Sequence, residues 1–467
     1  MYLKKQNIDM LHGTLIDKIL LFTIPIALSS MLQQLFNAAD TAVIGLCGDS
    51  AALAAVGINT EIVALIVSVS SGLAVGANLL VAGKIGRGET DNIPETVQAA
   101  IFLSLLTGIA GCTFGQIVCR PLLMLMRTPA AILDEAALYL RIYLAAYPFL
   151  LLYDFASAIL RARGDSHHPF AALTISGAVN VVLNLFFVTV LHLNVAGVAL
   201  ATAISTALSA VLVLKFLFKD MNLGTSPMRL VQFVAGRVIS KSVCLGESNF
   251  CKYNVMKMLQ AGIPAAMQGA VFCFANIFIQ ASVNTFGENA IAGSTIAINF
   301  EYFTYYIITA FGQTATTFTG QNFAAGQKSR CRQILIISLV LSTLCSTLPI
   351  FTIVFFRNFF SGLFTSDAAI IKSATLRILC ILLYEPMCSL YEIPAGCLRG
   401  RGHSFYPAAA TMSGTCALRV LWIFTVFQRA PSLPMLYHIY PLSWIATILL
   451  VNIGFYIIEK STSDRMA

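Results

Sequence analysis

LRARGDSHHPFAA at residues 160–172 and LRGRGHSFYPAAA at 398–410 are two copies of one sequence, 238 residues apart. Further matches keep almost the same spacing. They are Tyr153-Asp154 with Tyr391-Glu392 at 238, Pro25 with Pro264 and Asn37 with Asn276 at 239, and Asn59-Thr60-Glu61 with Asn299-Phe300-Glu301 at 240. An offset this steady indicates an internal repeat. We therefore predict that the molecule is built from two copies of one unit.

The composition places both copies in a membrane. Of 467 residues, 58% are apolar and 11% are charged, whereas about a quarter of a soluble domain is charged. A membrane-spanning helix takes about 20 mostly apolar residues, so the chain could supply about a dozen. The apolar runs are long and unbroken, unlike the short alternating segments of an outer-membrane barrel. These properties exclude a soluble enzyme, a disordered chain and a disulfide-rich secreted domain.

The apolar runs predict an all-α polytopic membrane protein with twelve transmembrane helices. The predicted spans are 15–44, 52–81, 95–118, 132–160, 169–190, 195–218, 254–284, 290–321, 332–356, 369–398, 407–427 and 436–458. Six spans per copy is an even number, so the two copies have the same orientation. Parallel repeats are related by a pseudo-two-fold axis along the membrane normal, with the substrate site between them. We therefore predict two pseudo-symmetric six-helix lobes around a central cleft.

The net charge of +8 is distributed unequally between the two sides of the membrane. The N-terminus and alternate loops hold 21 Lys and Arg residues, and Arg419 lies inside a span. The opposite side holds 7, namely Arg120, Arg127, Arg141, Arg357, Lys372, Arg377 and Arg429. Because positive charge stays on the cytoplasmic side, we predict a multi-pass protein of the cell (plasma) membrane with both termini in the cytoplasm.

The predicted domains follow the spans. Residues 1–218 form an N-terminal lobe, 219–253 a cytoplasmic linker, 254–460 a C-terminal lobe and 461–467 a cytoplasmic tail. The linker is polar and basic, and residues 222–252 give no indication of a role. The sequence contains neither G-x-x-x-x-G-K-[ST] nor H-E-x-x-H, so we expect no ATP hydrolysis, no metalloenzyme chemistry and no cofactor.

Several carboxylates lie within the predicted spans, and Arg419 is the clear basic residue there. The acids are Asp40, Glu61, Asp154, Glu301, Glu385 and Glu392. A charge in hydrocarbon is costly and indicates function. A buried acid without a basic partner takes up a proton or binds a cation, which is the property an ion-coupled exporter of cations needs. The alternative is structural, with one of these acids paired to Arg419.

Asp40 is the first candidate for ion coupling. Gln33, Asn37 and Asp40 are spaced four and three residues apart, so they share one helix face. The position that matches Asp40 in the second repeat is Ile279, so the acid is not a symmetric structural feature. A structural ion pair is the alternative. The neighbouring Gln34 is a candidate for the substrate cleft.

Two asparagines of span 5 complete the predicted ion-coupling set. Asn180 and Asn184 are four residues apart and share a helix face. Their amides can ligate Na⁺ or hydrogen-bond to Asp40, so Asp40, Asn180 and Asn184 form a candidate Na⁺ site. The alternative is that both amides serve helix packing.

The other candidates concern the substrate cleft and a hinge. A carboxylate beside an aromatic ring suits an organic cation, and Tyr305 lies one turn after Glu301. The remaining cleft candidates are Thr202, Asn276, Gln280 and Glu392. The hydroxyls of span 6, Thr202 among them, can equally serve packing. Pro25 is a candidate hinge, because proline removes a backbone hydrogen bond and kinks a helix; a static kink is the alternative.

Several stretches carry a specific resemblance. They are LQQLFNAADTAVIG (32–45), GLAVGANLLVAGKIGRGE (72–89), LRARGD (160–165), NVVLNLFFV (180–188), VAGVALATAIS (195–205), FTGQNFAAGQ (318–327) and LRGRGHS (398–404). Together they resemble the multidrug and toxic compound extrusion (MATE) family, bacterial type, over almost the whole chain. The resemblance implies two six-helix lobes facing a central cleft. It also implies antiport, in which H⁺ or Na⁺ enters while an organic, often cationic, compound leaves.

The resemblance extends to single residues and shows three departures. The family's acid at the position of Asp40 is implicated in ion coupling. Related transporters often have Asp at the position of Asn184, and sodium-coupled relatives use an Asp at the position of Cys388. Relatives with a Glu in span 7 differ from this chain, which has Gln268 and the amides already named there.

We therefore expect a secondary active antiporter that exports organic, cationic drugs or metabolites in exchange for H⁺ or Na⁺. A flippase of the same superfamily, for lipid-linked oligosaccharides or lipids, is the alternative within transport. Such flippases tend to have basic residues in the cleft. A membrane-embedded enzyme would need a nucleophile or metal constellation, which the sequence does not show. We expect a monomer in the lipid bilayer that binds no nucleic acid.

Overall fold

The computed structural model describes residues 7–47, 50–126, 128–221 and 249–464. Most of the predicted linker, residues 222–248, lies outside the described residues. Within the described ranges the regular structure is helical, with no β-strand. The long apolar runs form helices because a helix satisfies all of its backbone polar groups internally, as a lipid environment requires. The all-α polytopic class is confirmed.

The described part of the chain before residue 222 forms seven α-helices. They are α1 (Ile16–Cys47), α2 (Ser50–Gly86), α3 (Ile93–Leu125), α4 (Ala130–Ala145), α5 (Tyr147–Ala162), α6 (His167–Leu185) and α7 (Asn194–Asp220). A 3₁₀ turn at Thr90–Asn92 precedes α3, and α6 continues as a π-helix over Phe186–Val190.

The described part after residue 248 begins with three long helices, continues in shorter pieces and ends with a further long helix. The helices are α8 (Asn249–Asn284), α9 (Glu288–Ala324), α10 (Lys328–Phe355), α11 (Arg357–Gly362), α12 (Ala368–Cys380), α13 (Ser389–Gly400), α14 (Phe405–Thr411), α15 (Leu418–Phe424), α16 (Val426–Arg429), α17 (Leu433–Tyr437) and α18 (Ile439–Asp464). A 3₁₀ segment, Leu382–Cys388, separates α12 from α13, and a π-helix, Met412–Ala417, separates α14 from α15.

Nine stretches of described helix are long and apolar enough to cross a membrane, and a bent pair brings the count to ten. The bent pair is α4 and α5, which meet at an angle of 43°, so the predicted span 132–160 is not one straight helix. The predicted span 369–398 is broken by the 3₁₀ segment and stands outside the count. The predicted span 290–321 is the continuous helix α9, whose many Thr and amide side chains keep it outside the count as well.

The sequence repeat is also a repeat of backbone geometry. Four glycines with positive φ follow the ends of helices at matched positions: Gly88 (75°) with Gly326 (76°), and Gly164 (89°) with Gly402 (90°). Each pair is 238 residues apart, as in the sequence. After Gly164 and Gly402, the next residue donates its N–H to a carbonyl five positions back, at 2.9 Å in both copies. This helix ending places a left-handed residue at the turn, which glycine adopts without strain.

The chain divides into two compact units. Unit 1 contains Met1–Asp9 and Leu28–Ala266, and unit 2 contains Met10–Ala27 and Met267–Ala467. The division therefore falls inside α1 and inside α8. The predicted lobes were defined by spans and not by compactness, and their boundaries at residues 218 and 254 stay a prediction.

Within unit 1, glycines on α2 allow a close approach of α8. A Cβ atom added at Gly72 would overlap the backbone of Ala266, and one added at Gly76 would overlap the carbonyl of Met258. Small residues four positions apart are a common contact surface between membrane helices. The contact holds the first part of α8 against α2.

Candidate functional site

Asp40 lies in the second half of α1, within unit 1, and is buried, with 7% of its surface exposed. Two neutral donors hold its carboxylate. The Asn184 side-chain amide donates to Oδ1 at 2.5 Å, and the Thr202 hydroxyl donates to Oδ2 at 3.2 Å. The donors come from α6 and α7, so three helices converge on this acid.

Asn180 links the two donors into one cluster. Its Oδ1 accepts from the Asn184 amide at 3.1 Å, and its own amide donates to the Thr202 hydroxyl at 3.4 Å. Asn180 and Asn184 are both buried, and their spacing of four residues brings them together on one face of α6. The structure therefore brings together Asp40, Asn180, Asn184 and Thr202, which we call the Asp40 cluster.

The Asp40 cluster carries one formal negative charge. Among the described residues, no Lys, Arg or His lies within ion-pair distance of Asp40. The Oδ1 of Asn184 is buried and accepts no hydrogen bond. Carboxylate, amide and hydroxyl oxygens are ligands that hard cations prefer. The arrangement can hold one positive charge, either as a proton on the carboxyl or as a small cation among the oxygens.

The other predicted residues of α1 lie outside this cluster. Asn37 is exposed, and its backbone carbonyl accepts from the Thr41 hydroxyl at 3.1 Å. Gln34 is half-buried. Pro25 is buried inside the continuous helix α1, two residues before the chain passes from unit 2 to unit 1.

Glu301, the predicted cation site, is instead paired with a base. Arg377 Nε donates to Oε1 at 2.7 Å and Nη2 to Oε2 at 2.8 Å, and Arg377 is 3% exposed. Arg377 also donates to the hydroxyls of Ser294 at 2.9 Å and Tyr440 at 3.4 Å. A two-pronged pair of this kind neutralises the carboxylate and fixes its position. Tyr305, the aromatic residue predicted beside Glu301, is half-buried.

Glu392 is also paired, and the remaining cleft candidates do not join it. Arg399 Nη1 lies 3.3 Å from Glu392 Oε1. Asn276 and Gln280 are half-buried on α8, where the Gln280 amide donates to Asn284 at 3.0 Å.

Glu385, Asp154 and Glu61 are the remaining acids of the predicted spans, and none of them forms an ion pair with Arg419. Glu385 accepts from the Thr304 hydroxyl at 2.7 Å, and Asp154 accepts from Ser70 at 2.6 Å. Glu61 is half-buried. Within the part of the chain that the structure describes, Arg419 lies in no ion pair, so the structural alternative of an Arg419 partner is not realised in this conformation.

In unit 1, Asp40 and Asp154 are bonded to neutral groups, whereas in unit 2 Glu301 and Glu392 are each paired with an arginine. The sequence analysis assigned Arg377 only to a side of the membrane and not to the bases within the spans, yet Arg377 is buried in α12. Its position eight residues inside the predicted span 369–398 is the signal that could have identified it. Ser294 and Tyr440 had no comparable signal, because neither residue type is unusual in a membrane helix.

Comparison with known proteins now gives the family. A family model described as MatE matches residues 25–186 and 264–425. The chain belongs to the MATE family. The two matched stretches begin 239 residues apart, so the family model itself recognises the repeat. This chain is a membrane transporter of a multidrug efflux family and not an enzyme.

Two relatives and one solved structure resemble this MATE transporter along most of its length. The Bacillus subtilis (strain 168) protein described as "Probable multidrug resistance protein YoeA" is 24% identical over 443 residues, covering 93% of this chain and 92% of YoeA. Multidrug export protein MepA of Staphylococcus aureus (strain N315) is 24% identical over 426 residues, covering 89% and 85%. An outward-facing multidrug resistance MATE family transporter superposes with a TM-score of 0.85 at 19% identity, covering 98% and 99%. The structural match shows the MATE fold.

Proposed function

We propose that this MATE transporter is a secondary active antiporter that exports organic cations, drugs or metabolites, in exchange for H⁺ or Na⁺. The observation that carries the proposal is Asp40, a buried carboxylate held only by neutral donors among the described residues. Such a group is stable in an apolar surrounding when a positive charge neutralises it. A proton, Na⁺ or a cationic cargo can each supply that charge.

Competition for one carboxylate couples the two fluxes. If the ion and the cargo cannot occupy the Asp40 cluster together, each lowers the affinity for the other by the same factor. Ion entry from outside then releases cargo outward, and ion release inside lets new cargo bind. In the proposed alternating access, the site opens to one side of the membrane at a time. The ion gradient then sets the direction of net transport.

The Asp40 cluster is chemically suited to both coupling ions. A proton needs the carboxylate alone, and the neutral donors then remain as hydrogen-bond partners. Na⁺ needs several oxygens, and the unpartnered Oδ1 of Asn184 is one that no internal hydrogen bond occupies. We therefore keep Asp40, Asn180 and Asn184 as the proposed Na⁺ ligands and H⁺ as the alternative ion.

Transport in vesicles with separately imposed gradients tests the proposal. Purified protein is reconstituted, and ethidium movement is followed under a pH gradient and, separately, under a sodium gradient. We expect one gradient to drive transport and Asp40→Asn to abolish the driven component, because the neutral amide cannot take up a proton or compensate a cation. Gel filtration and the unfolding temperature of the variant control for folding. Full gradient-driven transport by Asp40→Asn would overturn the assignment.

The acids of unit 1 support a cationic cargo, and the acids of unit 2 do not. In unit 1, Asp40 and Asp154 are bonded to neutral groups. In unit 2, two of the acids are paired with arginine. The relatives YoeA and MepA are named for multidrug resistance and multidrug export, which is consistent with drugs as cargo.

A lipid or lipid-linked oligosaccharide flippase is the second candidate, because unit 2 buries Arg377 and Arg419 within its helices. Basic residues of this kind can hold phosphate groups. Translocation of a fluorescent phospholipid in the same vesicles distinguishes the two functions. Lipid translocation without ethidium transport would favour the flippase.

The remaining features of the proposal concern the whole chain. We propose twelve spans in two six-helix lobes, with both termini in the cytoplasm of the cell and residues 219–253 as a cytoplasmic linker. The 21-to-7 distribution of Lys and Arg supports this orientation. We further propose that one copy, as a monomer, is sufficient for transport, and that Pro25 is a hinge of α1.

A further inference from the structure

Glu385 and Arg419 can carry opposite charges inside unit 2, and neither lies in an ion pair with a residue that the structure describes. Glu385 is 3% exposed and accepts from the Thr304 hydroxyl at 2.7 Å. Arg419 is 1% exposed, and its Nε donates to Ser443 at 3.1 Å, while its Nη1 is buried without a hydrogen-bond partner. Among the residues that the structure describes, no opposite charge lies within 4.0 Å of either group.

Such an arrangement is unfavourable if it is permanent. An arginine side chain cannot lose its proton in a protein, and a desolvated charge without a counter-ion is strongly destabilising. The same unit shows the usual solution, since Glu301 and Arg377 form a two-pronged pair. A purely structural role would predict the same closed geometry for Glu385 and Arg419.

Arg419 and Glu385 are connected through shared neighbours. The Arg419 guanidinium lies over the ring of Tyr440, 4.1 Å from its centroid. The Tyr440 hydroxyl accepts from Arg377, which is paired with Glu301. Thr304 lies one turn after Glu301 on α9, and its hydroxyl lies 3.1 Å from the Glu301 carbonyl and 2.7 Å from Glu385. Neutral and aromatic groups therefore hold both side chains without closing a pair between them.

Glu385 lies within an irregular helical segment, and Arg419 lies directly after one. Glu385 lies in the 3₁₀ segment Leu382–Cys388, and Arg419 follows the π-helix Met412–Ala417 by two residues. Stretches of 3₁₀-helix inside a span often mark hinges, and π-helical turns occur often at functional sites. A change of hydrogen-bond register in either segment would shift its charge along the helix.

We propose that Glu385 and Arg419 form a buried ion pair in another state of the transport cycle, and that these two irregular segments bring them together. The inference rests on the proposed transport function, because it assigns both residues a positioning role in that cycle. In the conformation described here, Glu385 is bonded to Thr304 and Arg419 is bonded to Ser443.

Two double-mutant cycles test the pair in transport. One cycle uses Glu385→Gln, Arg419→Met and the double variant; the matched control uses Glu301→Gln, Arg377→Met and their double variant. We expect each single change at Glu385 or Arg419 to slow ethidium transport about tenfold or more, since one buried charge is left alone. The double variant should lose clearly less than the product of the single losses. Arg419→Lys, which keeps the charge, should retain part of the rate.

Thermal unfolding separates a pair that closes later from one that is already closed. Glu301 and Arg377 should show strong non-additivity in the unfolding temperature of the purified protein, because their pair exists in this conformation. Glu385 and Arg419 should show little non-additivity there and strong non-additivity in transport. Simple multiplication of their transport losses would overturn the proposal.

Amide hydrogen exchange gives a readout that does not depend on the cargo. If the two segments move as a pair, Arg419→Met should change exchange in residues 382–388 as well as 412–417, and Glu385→Gln should do the same. Changes confined to each variant's own segment would overturn the pair. If wild-type protein transports no cation, the proposed function fails, and the exchange measurement still decides whether the pair exists.

Discussion

Asp40 and Glu301 are both acids within predicted spans, but their partners give them different chemistry. Asp40 is bonded to the Asn184 amide and the Thr202 hydroxyl, which leave its charge uncompensated. Glu301 is bonded to Arg377 through both carboxylate oxygens. The residue type alone therefore does not separate these two environments, and the charge of the bonded donor does.

Thr202→Val should strengthen the binding of the coupling ion to the Asp40 cluster. The hydroxyl donates to the Asp40 carboxylate at 3.2 Å, and a hydrogen bond to a charged group contributes about 1.5–3 kcal/mol. The donor stabilises the charged carboxylate before an ion binds, and Thr202 is not among the proposed Na⁺ ligands. Because its loss favours the neutralised form, we expect the ion concentration for half-maximal ethidium transport to fall about tenfold. Thr206→Val is the matched control, because that hydroxyl donates to the backbone carbonyl of Thr202. Equal effects of the two variants would mean that the Thr202 hydroxyl serves packing alone.

Glu301→Gln should lower stability and leave ion coupling in place. The change leaves the Arg377 guanidinium buried without its counter-ion, which costs about 3–5 kcal/mol. We expect a lower unfolding temperature in detergent, with the same ion dependence of transport as the wild type. A stable variant with weakened drug affinity would instead support the original expectation that Glu301 binds cationic cargo.

At the scale of helices, proline explains where predicted spans break. Pro148 is the second residue of α5, just after the bend between α4 and α5. Pro386 lies in the 3₁₀ segment before α13. Proline cannot donate a backbone hydrogen bond and clashes with the carbonyl four residues earlier. Both prolines are visible in the sequence, but Pro25 lies within the continuous helix α1. Hydropathy alone therefore cannot tell a break from a tolerated proline.

Gly76→Ala should destabilise the contact between α2 and α8. The added methyl group would overlap the carbonyl of Met258, and overpacking of this kind costs about 1–3 kcal/mol. Gly57→Ala is the control on the same helix, since a Cβ there would meet no atom within 4 Å and alanine favours a helix by up to about 1 kcal/mol. Unfolding temperatures of the two variants give the comparison. A Gly76→Ala protein as stable as Gly57→Ala would show that the helices can separate without loss.

At the scale of the whole molecule, the orientation is open to a direct test. We expect a C-terminal green fluorescent protein fusion to fluoresce and a C-terminal alkaline phosphatase fusion to be inactive, because the C-terminus is predicted to be cytoplasmic. Alkaline phosphatase fused after Thr128, in the predicted external loop between α3 and α4, should be active. The opposite pattern at the two positions would invert the predicted topology.

Sequence patterns predicted the helices and the repeat better than they predicted the contacts between side chains. Apolar runs predicted the helices, and the spacing of Asn180 and Asn184 predicted that both amides share one face of α6, where Asn184 bonds to Asp40 and to Asn180. The same spacing rule placed Asn37 with Asp40, yet Asn37 is exposed. A helix face is wide enough to meet more than one environment, and the position of neighbouring helices decides which side chains it buries.

The single carboxylate of the Asp40 cluster also limits what a cycle can carry. With an asparagine at residue 184, the cluster compensates one elementary charge at a time. Exchange of one monovalent ion for one monovalent cargo then moves no net charge across the bilayer. The cycle would be electroneutral with a stoichiometry of one to one. Its rate would follow the ion's concentration ratio and be insensitive to membrane voltage.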